Sequence, residues 1–183
     1  MSEQPPRIAV TAAIRAASRS PCKKSKRGVS AFNGSHRTDI TGPAAFAGYL
    51  YTAACNLPAL GNCDGSRRCK ETCGLRCVHA EANVLLKLRG PHLTSGGRGH
   101  VDLLHVKFTT AGTFDEHGDP NEDWIKPSGA PSCITCSRLI AHDPRVDAIW
   151  LYHRHDLPDI EPGWRRWQSD EFHIATMKNE GIS

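Results

Sequence analysis

Cys77-Val78-His79-Ala80-Glu81-Ala82-Asn83 and, further along, Pro131-Ser132-Cys133-Ile134-Thr135-Cys136 decide how this chain is read. Zinc prefers tetrahedral nitrogen and sulfur donors, and a site with three protein ligands keeps its fourth position for water. His79, Cys133 and Cys136 make such a set. The two-residue gap between the cysteines lets both thiols point one way from the first turn of a helix, whose positive end favours thiolate over thiol. His79 opens a second helical pattern; if the two helix N-termini face each other, one metal bridges them and keeps a vacant position. Glu81 begins that same helix without joining the ligands. A carboxylate there takes a proton from a metal-activated water and passes it on. A lone Cys-x-x-Cys reads as a structural half-site or a redox pair, and a lone His-Ala-Glu as coincidence. Their conjunction, each opening a helix, points to a hydrolytic metal site.

Working outward, Ala80, Val84, Leu85 and Leu88 continue a helical stripe that Gly90-Pro91 ends. Val101 to Phe108 reads as a buried strand. Ser132 is the expected cap of a helix running through Ile134, Leu139 and Ile140, and Val146 to Tyr152 is a strand. Toward the N-terminus, Ile8, Ala12 and Ala16 mark a helix over about 6–19, stopped by Ser20-Pro21. Gly28 to Phe32 and Ala47 to Ala54 read as strands. Trp164, Trp167, Phe172, Ile174 and Met177 supply a final strand or helix. The alternation of the two element types implies a sheet with helices on its faces. Residues 34–47 and 109–130 read as insertions, the second acidic and without periodicity. Residues 58–77 form a cysteine-rich loop with no apolar face, so something other than a core must order it.

With 183 residues, 39% apolar and 23% charged, the chain reads as one globular domain over 1–183. No window approaches the roughly 18 apolar residues of a membrane span, and Met1 to Arg15 lacks a secretory hydrophobic core. The expected location is cytoplasmic. Eight cysteines in such a compartment read as metal ligands or buried thiols before disulfides, although an even count leaves a disulfide framework open by arithmetic. Net charge is a mild +4. The clusters Lys23, Lys24, Lys26, Arg27 and Arg67, Arg68, Lys70 read either as solvated faces or as attraction for a phosphate.

At this point the chain resembles the zinc-dependent cytidine-deaminase-like superfamily, and within it the deoxycytidylate deaminase branch, from Ala12 to about Tyr152. The matching motifs are Ser20-Pro21-Cys22, Gly28-Val29, Cys55-Asn56-Leu57-Pro58, His79-Ala80-Glu81-Ala82-Asn83 and Pro131-Ser132-Cys133-Ile134-Thr135-Cys136. The departures are Ser132 between the proline and the first cysteine, and Ala54-Cys55-Asn56 where the family has Gly-Tyr-Asn. The resemblance implies a three-layer α/β/α fold around a central mixed sheet of about five strands. It implies one catalytic zinc on His79, Cys133 and Cys136, with Glu81 as the proton shuttle. Asn56 then holds the base, and Ala80 and Asn83 lie at the substrate. The implied reaction is hydrolytic deamination of a cytosine-type nucleotide, dCMP-like to dUMP-like, with release of ammonia, in a homo-oligomer with no membrane partner.

Cys63, Cys69, Cys73 and Cys77 are candidate ligands of a second, structural zinc that would staple the loop, with Cys22 and Cys55 as further candidates; free or buried thiols are the competing reading. The alternatives in function are a nucleic-acid deaminase acting on tRNA adenosine or single-stranded cytosine, a deaminase of a free base, nucleoside or unusual heterocycle, and a non-enzymatic zinc module. The nucleic-acid reading needs a basic, aromatic groove, for which Trp164, Arg165, Arg166 and Trp167 are the candidates.

Overall fold

The structure, a computed structural model, describes residues 4–23, 25–34, 49–58, 63, 66–67, 77–88, 101–129, 131, 133–153 and 160–182. Among them are the helices α1 (Arg7–Ser18), α2 (Ala80–Lys87), α3 (Ile134–His142) and α4 (Ser169–Asn179). The strands are β1 (Arg27–Asn33), β2 (Leu50–Cys55), β3 (Val101–Phe108), β4 (Ile125–Lys126), β5 (Val146–His153) and β6 (Gly163–Gln168). The sheet runs β2-β1-β3-β5-β6, with β4 paired to the end of β3. β3 and β5 are parallel and the other pairs antiparallel, so the sheet is mixed, as expected. It holds six strands, one more than the sequence suggested.

Strand periodicity divides the core in two, because successive side chains leave opposite faces. On one face Phe32, Leu104, Val106, Trp150 and Trp164 pack against Ala9, Val10, Ala13, Ile14 and Ala17 of α1. On the other, Val29, Ala31, Leu103, Ile149, Leu151 and Trp167 pack against Val84 of α2, Ile140 of α3 and Phe172 of α4. The result is three layers, α1 outside one face and the other three helices outside the second. Covered on both sides, β3 is buried from Val101 to Val106. α1 lies close to β1 because its inner face is mostly alanine and because position 28 is glycine. A Cβ at Gly28 would stand 2.1 Å from the Ala13 carbonyl oxygen and 2.6 Å from the Ala17 nitrogen.

One buried charge pair crosses the sheet on the α1 side. Asp102 of β3 accepts Arg166 Nε at 2.7 Å and Nη2 at 2.9 Å, and also the Trp150 indole N–H at 2.8 Å. Arg166 reaches Asp147 as well. The carboxylate thus clamps β3, β5 and β6 together, and its hydrogen bonds and charge, followed by those of Asp147, push the Arg166 guanidinium pKa further up.

One expectation, the identity of a helix cap, is corrected here. The cap of α3 is Cys133 rather than Ser132: its sulfur accepts the Cys136 N–H at 3.4 Å, the bond an N-cap oxygen usually makes. The region read as an aperiodic insertion is structured over its described part, 109–129. Asp123 accepts from the Thr113 N–H at 3.0 Å and its hydroxyl at 2.7 Å. Asp115 accepts from the backbone of His117 and Asp119, and Trp124 stacks on Phe108 with ring centroids 5.2 Å apart. Arg7 and Arg15 of α1 pair with Asp115 and Asp119, so the acidic residues dock the segment onto the helix. The candidate insertion at 34–47 lies outside the described residues apart from Gly34.

Candidate metal centre

The backbone delivers the metal-binding side chains to one place. β2 ends at Cys55, and Leu57 just beyond forms an antiparallel bridge to Val78, with both N–H···O bonds at 2.9 Å. That bridge fixes the residue before His79, which is the extended N-cap of α2. Cys133, the N-cap of α3, brings its own sulfur and that of Cys136 to the imidazole. His79 Nδ1 lies 3.1 Å from Cys136 Sγ and 3.2 Å from Cys133 Sγ, and the three donor atoms all fall within 4.8 Å of one another. Cys136 is buried, whereas His79 and Cys133 are half-buried, so the cluster reaches the surface.

The donor set fits one zinc ion. Bonds of about 2.3 Å to sulfur and 2.0–2.1 Å to nitrogen at tetrahedral angles separate N from S by roughly 3.5 Å. Only a few tenths of an ångström of spreading is needed. One nitrogen and two sulfurs leave a fourth tetrahedral position, the pattern of catalytic rather than structural zinc. Electrostatics point the same way. Hydrogen bonding from Cys136, and next from His79, brings the Cys133 thiol down to about 5. The same bond to Cys133, together with burial, pushes the Cys136 thiol far up, and the bond to Cys133 raises His79. Two thiolates this close do not both ionise alone. A coordinated cation would displace both thiol protons, coupling metal uptake to proton release.

Glu81 stands in the first turn of α2 and is 9% exposed. Its Oε2 faces Cys136 Sγ at 3.8 Å, and its Oε1 lies 3.7 Å from His105 Nε2. Burial would raise its pKa, but His105, its own backbone N–H, Arg27 and His79 outweigh that and hold it low, as the anion. The carboxylate therefore borders the sulfur cluster while belonging to a different neighbourhood, that of β3 and β1.

The other residues singled out in the sequence have these places. Asn56 is buried, and its Oδ1 accepts the Ser20 hydroxyl at 2.8 Å and the Arg27 N–H at 2.8 Å, while Nδ2 donates to the Ser25 carbonyl at 2.9 Å. Both lone pairs of Oδ1 are then used, and one N–H remains. Asn83 donates to the Cys55 carbonyl at 2.7 Å, tying α2 to β2. Ala80 is fully buried in the core beneath α2. Lys26 caps the Ser18 carbonyl at 3.0 Å, and Arg27 turns inward to His105.

Of the second cysteine group, Cys69 and Cys73 lie outside the described residues, and Cys77 is half-buried. Cys63 is buried with its sulfur 3.9 Å from Cys22 Sγ. Each of these two sulfurs accepts a backbone N–H, Cys63 from Lys23 at 3.3 Å and Cys22 from Ser25 at 3.5 Å.

The four residues expected to line a nucleic-acid groove do not form one. Trp164 and Trp167 are buried on opposite faces of β6, and Arg166 is spent on Asp102. Arg165 lies 3.7 Å over the Trp167 ring and pairs with Glu171. Period-two alternation along the strand splits what the sequence places side by side. A cavity of about 560 Å³ opens between the start of α1 and residues 115–122, and none of the cluster residues lines it.

His105 is the residue the sequence reading missed. It is 2% exposed, and burial holds its pKa down at about 4, from 6.5. His153, buried with Nε2 accepting the Trp167 indole N–H at 3.0 Å, is lowered by burial too. The folded protein refuses protons that the unfolded chain binds below pH 6.5. Stability is therefore expected to fall as pH drops from 6.5 toward 4, with His105 contributing about 3 kcal/mol over the whole window. Urea unfolding at several pH values checks this: the loss should be smaller in His105→Gln than in the wild type.

Among the described residues no helix is long and apolar enough to cross a membrane. No protein-family model matches the chain, and no curated protein matches it.

Proposed function

We propose that the protein is a zinc-dependent hydrolytic deaminase of the cytidine-deaminase-like superfamily, acting on a cytosine-type nucleotide in the manner of the deoxycytidylate branch. The observation that carries this reading is the meeting of His79 Nδ1, Cys133 Sγ and Cys136 Sγ beside a buried carboxylate outside the donor set. The mixed three-layer α/β fold supports it.

A zinc ion, which His79, Cys133 and Cys136 would hold, would supply an activated water at neutral pH. Glu81, an anion beside that cluster, would take one proton of the attacking water on a carboxylate oxygen. It would deliver that proton to the ring nitrogen adjoining the amino-bearing carbon as the water oxygen bonds to that carbon. It would then take the remaining hydroxyl proton and hand it to the amine, so that the carbon–nitrogen bond breaks, ammonia leaves and a carbonyl remains. Its burial excludes bulk water from the transfer, and the charge of Arg27 helps keep it ionised between turnovers. The Asn56 N–H left over is available to a ring substituent.

An ammonia-release screen tests the proposal. Nucleobases, nucleosides, their mono- and triphosphates and short single-stranded oligonucleotides are offered to zinc-loaded protein, with Glu81→Ala as the blank. Release from a cytosine nucleotide that the blank lacks supports the reading. Release from oligonucleotides alone, steeply weakened by salt, would replace it with the polymer-directed form. No release from any of them, with zinc bound, would sink it.

A further inference from the structure

We propose that His105 and Arg27 are positioning residues that aim the Glu81 carboxylate at the metal cluster, an inference that rests on the deaminase reading. The observation is a row of three side chains from three elements, His105 and Glu81 buried and Arg27 half-buried. Arg27 of β1 lies with Nη1 3.3 Å from His105 Nε2 on β3, and that same Nε2 lies 3.7 Å from Glu81 Oε1 on α2.

A guanidinium only donates, so the His105 Nε2 facing it carries the lone pair and the ring proton sits on Nδ1; His105 thus anchors Arg27 and gives Glu81 no hydrogen bond of its own. The ring itself cannot turn away easily, since it is 2% exposed and fixed to a central strand. The register pairs His105 with Val29, two residues from Arg27, which places Arg27 diagonally across the same face of the sheet. The two oxygens of Glu81 are thereby made inequivalent. Oε1 lies 3.7 Å from the imidazole nitrogen that anchors Arg27, whose positive charge draws the carboxylate, and Oε2 is left facing Cys136 Sγ at 3.8 Å. A carboxylate that must accept a proton and later deliver it gains from presenting one oxygen in one place, and small misplacement of such a group costs rate steeply. The sulfur cluster alone gives Glu81 no such direction, because it borders only Oε2.

The test uses full-length zinc-loaded protein and the best substrate of the ammonia screen. His105→Met fills the ring's space without a polar atom, and His105→Gln returns an amide near the position of Nε2. The expected result is a kcat lower by about 10- to 100-fold in His105→Met, with KM and zinc content unchanged, and recovery to within about 3-fold of wild type in His105→Gln. In a Glu81→Gln background, His105→Met should cost nothing further, because both act through one group. Should the buried substitution prevent folding, Arg27→Gln at its half-buried position is expected to lower kcat alone in the same way. Wild-type kcat in His105→Met or Arg27→Gln, equal loss in the Met and Gln variants, or a full additional loss in the Glu81→Gln background would overturn this inference while leaving the deaminase reading intact. A zinc-loaded wild type that releases no ammonia from any compound would remove the reading and this inference with it.

Discussion

Glu81→Gln is expected to cut ammonia release by about 10²–10⁴-fold, the share that a positioned general acid–base supplies, while leaving zinc in place. Glutamine has nearly the size and shape of the carboxylate, so the 9% exposed pocket at the start of α2 is not refilled or opened. What changes is the ability to hold a proton. An amide neither takes one from water nor gives one to a ring nitrogen. Zinc should stay because the ligands are His79, Cys133 and Cys136, whose donor atoms already meet within 4.8 Å. Zinc content and rate, measured on one preparation, separate the two effects. A variant that loses its metal along with its rate would make Glu81 a ligand, filling the position that water needs.

Asp102→Ala is expected to lower folding stability by about 3–5 kcal/mol, the range for breaking a buried ion pair from one side. The carboxylate is 1% exposed and accepts three hydrogen bonds, two from Arg166 and one from Trp150. Removing it leaves the guanidinium with Asp147 as its one remaining carboxylate partner among the described residues and an indole N–H without its acceptor. Position 34 is glycine for a related reason: a Cβ there would sit 2.2 Å from the Asp102 carboxyl carbon. Asp102→Asn, which keeps the volume and one acceptor, should cost less. Urea unfolding measures both. The clamp lies on the α1 side of the sheet, and the metal cluster on the side of α2 and α3. Activity per folded molecule is therefore expected to be unchanged in either variant.

The parts legible in the sequence were those governed by local pattern. α1 follows from the one-turn spacing of its apolar residues, expected over about 6–19 and found over Arg7–Ser18. β3 was expected and found over Val101–Phe108. The donor cluster was legible because Cys-x-x-Cys and a helix-opening histidine each fix where a ligand leaves its own helix. Whether the two helix ends meet is a tertiary fact, and the 3.1 and 3.2 Å separations supply it.

What escaped was held together by other forces. Residues 109–129 have no apolar periodicity because carboxylate-to-backbone bonds and the Phe108–Trp124 stack order them. Cys133 as a cap was hidden because a sulfur did the work expected of the Ser132 hydroxyl. His105 looked like one more residue of a buried strand. Its nearness to Glu81 depends on the register of β3 against β1 and on how α2 packs over both. The paired tryptophans and arginines of β6 suggested an exposed groove, and the alternation of the strand sent them to different faces.

The count of zinc per chain in wild type against the double variant Cys133→Ala, Cys136→Ala tests the central claim most directly. Taking the difference cancels any metal held by the cysteines of residues 58–77. The account predicts that the double variant, still folded, carries one zinc fewer than the wild type. Equal zinc in the two proteins would contradict it.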